Sequence, residues 1–207
     1  MQKAMQRDAI PSALPERLAR CLLEREPECK VALTQALWAD WQAGQLAASE
    51  QTARSGISLP GRPLKPELVP PLEVPRRRLG TKLGRAAMIH AITHIEFNAI
   101  NLALDAAHRF AGMPSDYYAD WLRVAAEEAT HFGLLNQHLA SLGYRYGDFA
   151  AHEGLWEMAL KTTHDPLVRM ALVPRVLEAR GLDATPAITL KLLQIGDARA
   201  VEILAII

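Results

Sequence analysis

The chain contains little cysteine, no net charge and no long hydrophobic run. Its two cysteines, Cys21 and Cys29, are separated by seven residues, a spacing that matches no zinc or redox motif. A scaffold held by disulfides or by cysteine-bound metal is therefore excluded. A reduced, cytoplasmic location is the expectation for a chain of this kind.

The missing charge and missing apolar runs exclude two further classes of protein. The 23 acidic and 23 basic residues balance, whereas a protein devoted to nucleic acid usually presents a basic surface. The apolar runs are short and interrupted by charge, and the N-terminal residues lack the apolar core of a signal peptide. We therefore expect no membrane partner, and the sequence has no strong nucleic-acid signature.

Apolar residues at helical spacing are abundant, and they suggest three regions. Half of the residues are hydrophobic, enough for a sizeable core. Residues 1–54 are predicted to form an N-terminal helical extension, broken near Pro27, and residues 81–207 a helical bundle. Residues 55–80 contain six prolines but too many apolar residues for a disordered linker. This segment is predicted to be extended and packed on the domain.

The first long helix, predicted over about residues 82–111, has an acidic residue on its apolar side. On a helical wheel, Glu96 lies in a stripe of isoleucines and alanines. Because a buried glutamate is rare without a partner, Glu96 is a candidate ligand. The far side of the helix is a polar face, made of His94, Asn98, Asn101 and Asp105. His90 is expected there or at its boundary.

The second long helix is predicted to follow the turn at residues 112–115, with Ser115 or Asp116 as its cap, and to continue to about Gly143; it carries Glu128 and His131. Residues three apart share one face of a helix, so these two side chains can offer an oxygen and a nitrogen to one metal ion. Their stripe is largely apolar, and a charge buried there needs compensation. The same spacing also arises by chance with the glutamate in water, and this alternative stays open. His138, on the same stripe, is predicted to be a core-edge histidine, and His152 to be at the surface.

A third helix begins at Asp165-Pro166, an N-cap followed by proline at the first helical position. Pro174 is expected to bend this helix, and Glu178 again lies in an apolar stripe. Residues 181–186 fit either a loop or a bend inside one long helix. A final helix is predicted to follow Asp197.

Taken together, three helices each place a carboxylate at an inward position near mid-length, and one of them adds a histidine. A carboxylate-bridged two-metal site needs a similar set inside a four-helix bundle: a Glu from each of two helices, and a Glu-x-x-His from each of the other two.

Five stretches of sequence strengthen this interpretation, and they cover most of the chain after residue 55. They are Pro60-Gly61-Arg62-Pro63, His90 to Glu96, Glu127 to Phe132, Tyr146-Gly147-Asp148-Phe149 with His152 and Trp156, and Glu178 to Asp183. With these stretches the chain resembles the ferritin-like proteins, most closely an uncharacterised bacterial family among them. More distantly it is similar to the ferritin-like tRNA hydroxylases.

The resemblance implies an all-α, ferritin-like four-helix bundle and a role for each candidate ligand. Glu96 would be a terminal ligand and Glu128 a bridging ligand. His131 would supply the nitrogen of one ion, and Glu178 the carboxylate of the third helix. The implied cofactor is iron, as a di-iron centre, or manganese. The implied activity is that of an oxidoreductase or oxygenase, which admits a small molecule or a modified nucleotide as substrate.

The sequence departs from the resembling families in the last helix. Those families carry a second Asp/Glu-x-x-His there, whereas Glu202 is followed three residues later by Ala205. We therefore expect the last bundle helix to be truncated and the chain to hold at most one ion. A second copy of the chain, in a homodimer, or the proline-rich segment would then cover the exposed groove.

Two functions without substrate turnover remain as alternatives. One is a protein that binds or stores metal. The other is a helical interaction module in which the inward carboxylates pair with arginines of the bundle. The candidate partners are Arg85, Arg123, Arg169 and Arg175.

Overall fold

A computed structural model describes residues 13–48 and 57–207, without the side chains of residues 175–180 and 182. These residues contain eight α-helices and no β-strand, so the predicted all-α class is confirmed. The helices are α1 (Leu14–Leu23), α2 (Pro27–Gln42), α3 (Lys82–Arg109), α4 (Ser115–Ser141), α5 (Gly154–Lys161), α6 (Pro166–Met170), α7 (Val176–Gln194) and α8 (Ala198–Leu204).

Helices α3 and α4 are the longest elements, and they form the centre of the molecule. A five-residue turn joins them, so they run antiparallel. Ile100 and Leu104 of α3 belong to one buried cluster with Leu122 and Ala129 of α4. Helix α3 begins at the predicted residue, whereas α4 already includes Ser115, which was expected in the turn or as the cap; both helices end two residues before the predicted end. The two-helix prediction for this region is therefore confirmed.

The two N-terminal helices complete the core that α3 and α4 begin. Helix α1 packs on α3 and α2 packs on α4. Leu18 and Leu22 of α1 and Leu37 of α2 are buried in the same cluster as Ile100. The break near Pro27 is present, because α2 begins at that proline. The division of the chain into three regions remains a prediction.

The polar face of α3 is buried, which the sequence analysis did not anticipate. His94, expected at the polar face or its boundary, is almost completely covered, and so is His90. Asn98, Asn101 and Asp105 on the same face are also buried. A helical wheel separates the two faces of α3, but it does not reveal that other parts of the chain cover the polar one.

Asp105 illustrates how a buried polar group is satisfied here. Its Oδ2 accepts a hydrogen bond of 2.7 Å from the guanidinium of Arg169, and its Oδ1 accepts one of 2.7 Å from Arg109. Arg169 also donates to the Thr162 hydroxyl and to the Ala159 carbonyl, each at 2.7 Å. This network, fully buried except at Arg109, joins α3, α5 and α6.

Lys30 is the buried cation on the N-terminal side. Its ammonium donates to the Leu22 carbonyl at 2.9 Å and to Asn101 Oδ1 at 2.6 Å, and it lies 5.5 Å from the centre of the Phe97 ring. It pairs with no carboxylate among the described residues. Burial lowers the pKa of Lys30 to about 7, because the charged form loses its hydration.

We call residues 57–80 the strap, since this proline-rich segment is fastened across the domain. Its Leu68 forms an isolated parallel bridge with Ala151, with backbone hydrogen bonds of 2.9 Å on both sides. At the other end, the Gly61 N–H donates to the Leu22 carbonyl at 2.8 Å. Any Cβ at Gly61 would overlap the Leu23 backbone, so glycine is required for this close approach.

The C-terminal third contains one kinked helical run and a short last helix. Pro174, predicted to bend the helix, lies in a π-helical turn, Ala171–Arg175, between α6 and α7. Residues 181–186 lie inside α7, so this stretch is part of a continuous helix and not a loop. Helix α8 is joined to α4 where His138 Nε2 contacts Asp197 Oδ1 at 3.0 Å. Within the described ranges, every helix is too short or too polar to cross a membrane.

The shifted pKa of Lys30 predicts a pH-dependent contribution to stability. In the unfolded chain Lys30 holds its proton up to its ordinary pKa of 10.5, whereas in the folded chain it loses it near pH 7. The unfolded state binds more protons between these values, so the free energy of unfolding rises with pH there. Urea denaturation of the wild type and of Lys30→Met from pH 7 to about pH 9 should show this rise as a growing difference between the two proteins, since the contributions of all other titrating groups are common to both.

Lys30→Met should remove this component of the rise. The matched control is Lys161→Met at an exposed position, which should leave the pH dependence as in the wild type. Identical pH profiles for the wild type and Lys30→Met would show that Lys30 keeps an ordinary pKa.

Candidate metal centre

Two facing helices position the candidate ligands. Glu96 lies at the middle of α3, and Glu128 and His131 lie at the middle of α4. Both helices are continuous around these positions, so their backbones hold the three side chains on fixed faces. The antiparallel packing of α3 and α4 then brings the three side chains together.

The ligand atoms of Glu96, Glu128 and His131 converge on one point. The Nδ1 atom of His131 is 3.2 Å from Glu128 Oε2 and 3.7 Å from Glu96 Oε2. One such atom from each residue lies within 4.8 Å of the other two. Ligands about 2.1 Å from an ion lie roughly 3 Å apart at a right angle and about 4.2 Å apart when opposed. The separations from Nδ1 fit two ligands of one ion.

The cluster is mostly buried, and no arginine or lysine side chain in the described part of the chain neutralises it. The side chain of Glu96 is 8% exposed, that of His131 16% and that of Glu128 22%. Within the described residues, His131 is the only basic group within 4.0 Å of either carboxylate. A buried pair of carboxylates without a cation is costly unless protons are retained.

Three of the arginines considered as partners are engaged elsewhere. Arg85 contacts Asp197 at 3.7 Å, Arg123 contacts Asp120 at 3.2 Å, and Arg169 contacts Asp105 at 2.7 Å. The side chain of Arg175 lies outside the described residues. The interaction-module hypothesis therefore lacks its ion pairs at these three positions.

The pKa values of the cluster show where protons reside without a metal ion. Burial, together with the neighbouring Glu128, raises the pKa of Glu96 to about 8. Burial also acts to raise the pKa of Glu128, but hydrogen bonds from His131 and from Glu96 outweigh it, and the pKa is lowered. Burial acts to lower the pKa of His131, but the two carboxylates raise it to about 9. At pH 7 Glu96 and His131 each hold a proton, and Glu128 is ionised.

The position of the fourth predicted ligand is known only along the chain. Glu178 lies in α7, but its side chain is outside the described residues. Its part in the site therefore remains a prediction. In α8, Glu202 is exposed and pairs with Arg199 at 3.0 Å.

Aromatic rings pack beside the cluster. Phe97 follows Glu96 and Phe132 follows His131, and their ring centres are 5.7 Å apart. Tyr146 contacts both rings, at 5.4 Å from Phe97 and 5.3 Å from Phe132. These contacts fix α3, α4 and the loop after α4 relative to one another.

The remaining histidines singled out by the sequence have other partners. His94 Nδ1 accepts a 2.8 Å hydrogen bond from the Tyr146 hydroxyl, and its Nε2 donates to the His152 carbonyl at 3.2 Å. Burial lowers the pKa of His94 to about 4, so the ring is neutral. The His138 ring is buried against Asp197, and the His152 side chain is exposed, as predicted for each.

Lys30 and Tyr146 are two polar residues beside this region to which the sequence analysis gave no role. Lys30 lies in a helix that reads as an ordinary amphipathic one, and no spacing rule marks it. Tyr146 was noted only as part of a resembling stretch. A helical pattern does not indicate which distant residue covers which face.

The proton distribution predicts different effects of removing each carboxylate from metal-free protein. Glu96 is protonated at pH 7 in the folded chain but ionised in the unfolded chain, so Glu96→Gln, which needs no proton to be neutral, should raise the free energy of unfolding by about 2–3 kcal/mol. Glu128 is ionised against a protonated His131, so Glu128→Gln should cost about 1–2 kcal/mol. Urea denaturation at pH 7 with a chelator measures both. Equal losses for the two variants would contradict this distribution.

Comparison with known proteins gives one family and one curated relative. The family model described as "Protein of unknown function (DUF455)" matches residues 23–207. An uncharacterised protein of Haemophilus influenzae strain Rd is 60% identical over 152 residues, which cover 70% of this chain and 53% of that protein. The chain thus spans about half the length of this relative. No solved structure matches the chain significantly.

Proposed function

The chain belongs to this family of proteins of unknown function, DUF455, and we propose that it binds a transition-metal ion through Glu96, Glu128 and His131. The observation that carries the proposal is the convergence of two largely buried carboxylates and one imidazole, with no arginine or lysine among the described side chains close enough to balance them. At neutral pH two protons occupy the positions that a divalent cation would take. Exchange of two protons for one such cation leaves the net charge of the site unchanged.

The donor set favours iron or manganese. Two carboxylate oxygens and one imidazole nitrogen suit the divalent ions of the middle of the first transition row. The absence of a cysteine from the cluster removes the thiolate that would favour zinc or copper(I). Glu178 on α7 is proposed as a fourth ligand.

We further propose that the fold is ferritin-like and the activity that of an oxidoreductase. A Glu on α3 and a Glu-x-x-His on α4 make one half of the ligand set of carboxylate-bridged two-metal bundles. Iron held there would supply electrons to dioxygen. Glu96 and Glu128 would orient the ion, and His131 would give up its Nδ1 proton on binding.

Metal binding should release protons. Below about pH 8, both Glu96 and His131 must lose a proton before they can act as ligands. Binding of one Mn²⁺ at pH 7 should therefore release about two protons, and the affinity should increase up to about pH 9. Isothermal titration in buffers of different ionisation enthalpy measures the number released. Binding without proton release would contradict the assignment of these ligands.

Variants of adjacent residues provide the control for this titration. Glu128→Gln and His131→Gln should each weaken Mn²⁺ binding by about 100-fold or more, since each removes a direct ligand. Glu127→Gln should leave the affinity unchanged, because Glu127 is exposed and lies next to Arg123. Equal losses for Glu127→Gln and Glu128→Gln would indicate general charge attraction in place of a site.

Oxygen consumption separates an oxidoreductase from a storage protein. Protein loaded with Fe²⁺ without oxygen should, after addition of oxygen and excess reductant, consume oxygen repeatedly. A single consumption limited by the amount of iron would favour metal storage. Glu128→Gln is the control for iron in solution.

A further inference from the structure

The strap and the loop after α4 together form a basic surface. We call it the basic face and define it as Lys65, Arg76, Arg77, Arg78, Lys82 and Arg145, all exposed. The stretches that carry it, residues 64–82 and 143–149, contain six basic residues and three acidic ones. The whole chain has no net charge, so this excess of positive charge is local.

Contacts with the loop bring these residues together from separate parts of the chain. The guanidinium of Arg77 lies 5.1 Å from the centre of the Phe149 ring. Lys65 lies beside Gly147, whose φ of 102° and close approach to Lys65 both require glycine. The Lys82 ammonium lies 3.7 Å from where a Cβ on Gly143 would be. The three cations therefore surround one loop of seven residues.

The basic face is not neutralised by neighbouring carboxylates. Among the described residues, no acidic group lies within salt-bridge distance of its six cations. Of the three acidic residues in the same stretches, Asp148 accepts a hydrogen bond from the Arg145 backbone N–H at 2.7 Å. Glu67 and Glu73 are exposed and also make no ion pair within the described ranges. Such a surface attracts anions.

Two leucines of the strap are exposed beside these cations. Leu64 is 91% exposed and Leu72 is 96% exposed, the highest values of any large apolar side chain in the described residues. Leu64 precedes Lys65, and Leu72 lies four residues before Arg76. Projecting apolar side chains next to basic ones provide the two signals that hold a protein at a bilayer surface.

We propose that the strap and the basic face bind the surface of an anionic lipid bilayer. Leu64 and Leu72 would enter the boundary between headgroups and acyl chains, and the six cations would contact the lipid phosphates. No membrane partner was expected from the sequence because it contains neither a spanning run nor the apolar core of a signal peptide. Attachment to the surface needs neither.

The observations favour lipid over nucleic acid as the anionic partner. Single-stranded nucleic acid is usually held by aromatic rings that stack on bases. The Phe149 ring in this region is buried under Arg77. Tyr144 packs against Phe149, with 5.3 Å between ring centres. Exposed leucines give a base no comparable surface, whereas they suit a bilayer.

Sedimentation of the full chain with vesicles tests the proposal. Vesicles of equimolar phosphatidylcholine and phosphatidylglycerol should bind the protein, and vesicles of phosphatidylcholine alone should not. Higher salt should weaken the binding, because screening reduces the attraction between exposed charges. No binding to either vesicle, or equal binding to both, would overturn the proposal.

Three variants separate charge from apolar insertion. Arg76→Gln with Arg78→Gln should weaken vesicle binding by roughly 25-fold, at about fivefold for each cation; Arg77 is left in place because it covers Phe149. Leu72→Ser should weaken binding with little change in its salt dependence. Arg123→Gln with Arg199→Gln removes two half-exposed cations that pair with acids elsewhere, and it should bind like the wild type.

A parallel titration with single-stranded RNA tests the competing partner. The lipid proposal would be overturned in favour of nucleic acid if RNA binds more tightly than vesicles do. This RNA binding would have to be weakened by the Arg76→Gln, Arg78→Gln double variant and unchanged by Leu72→Ser. Circular dichroism of each variant confirms that it is folded. Vesicle binding by the arginine double variant at wild-type strength would equally overturn the proposal.

Discussion

Helix α3 is buried on both its apolar and its polar face, so the polar side chains of both faces need partners inside the protein. On one face Lys30 binds Asn101, Tyr146 binds His94, and Arg169 binds Asp105. These three partners come from α2, from the loop after α4 and from α6. Helix α2, the loop after α4 and helix α6 are therefore positioned in part by the polar side chains of this one helix.

On the apolar face of α3 a buried polar side chain also needs a partner, and a suitable one is harder to provide there. Among the described side chains Glu96 meets Glu128 and His131 there, and a second carboxylate is a poor partner for the first. Without metal, a proton on Glu96 removes the repulsion between the two carboxylates, since burial and the neighbouring charge raise the pKa of Glu96 to about 8. A divalent cation bound to both carboxylates would remove the repulsion without protons. The site can therefore form before metal arrives, which is how a preorganised binding site should behave.

The sequence predicted those parts of the molecule that depend on local signals. The start of α4 after Pro114 and of α6 after Asp165 follow from turn and capping residues, and the convergence of Glu96 with Glu128 and His131 follows from a polar residue on an apolar stripe. Burial of the polar face was missed because periodicity does not tell what covers a face. Arg169 and Asp105 are 64 residues apart in the sequence, so no local pattern predicts that they contact each other. Residues 181–186 were undecided because glycine and proline signals there compete with helical periodicity.

The most direct test is a crystal structure of the chain soaked in Mn²⁺, with anomalous scattering recorded to locate the ion. The proposal expects one anomalous peak between α3 and α4, within about 2.0–2.3 Å of Glu96, Glu128 and His131 Nδ1. Its neighbours would also show whether Glu178 is a ligand. A fully soaked crystal with no peak there, in which Glu96 still shares a proton with Glu128, would contradict the central claim.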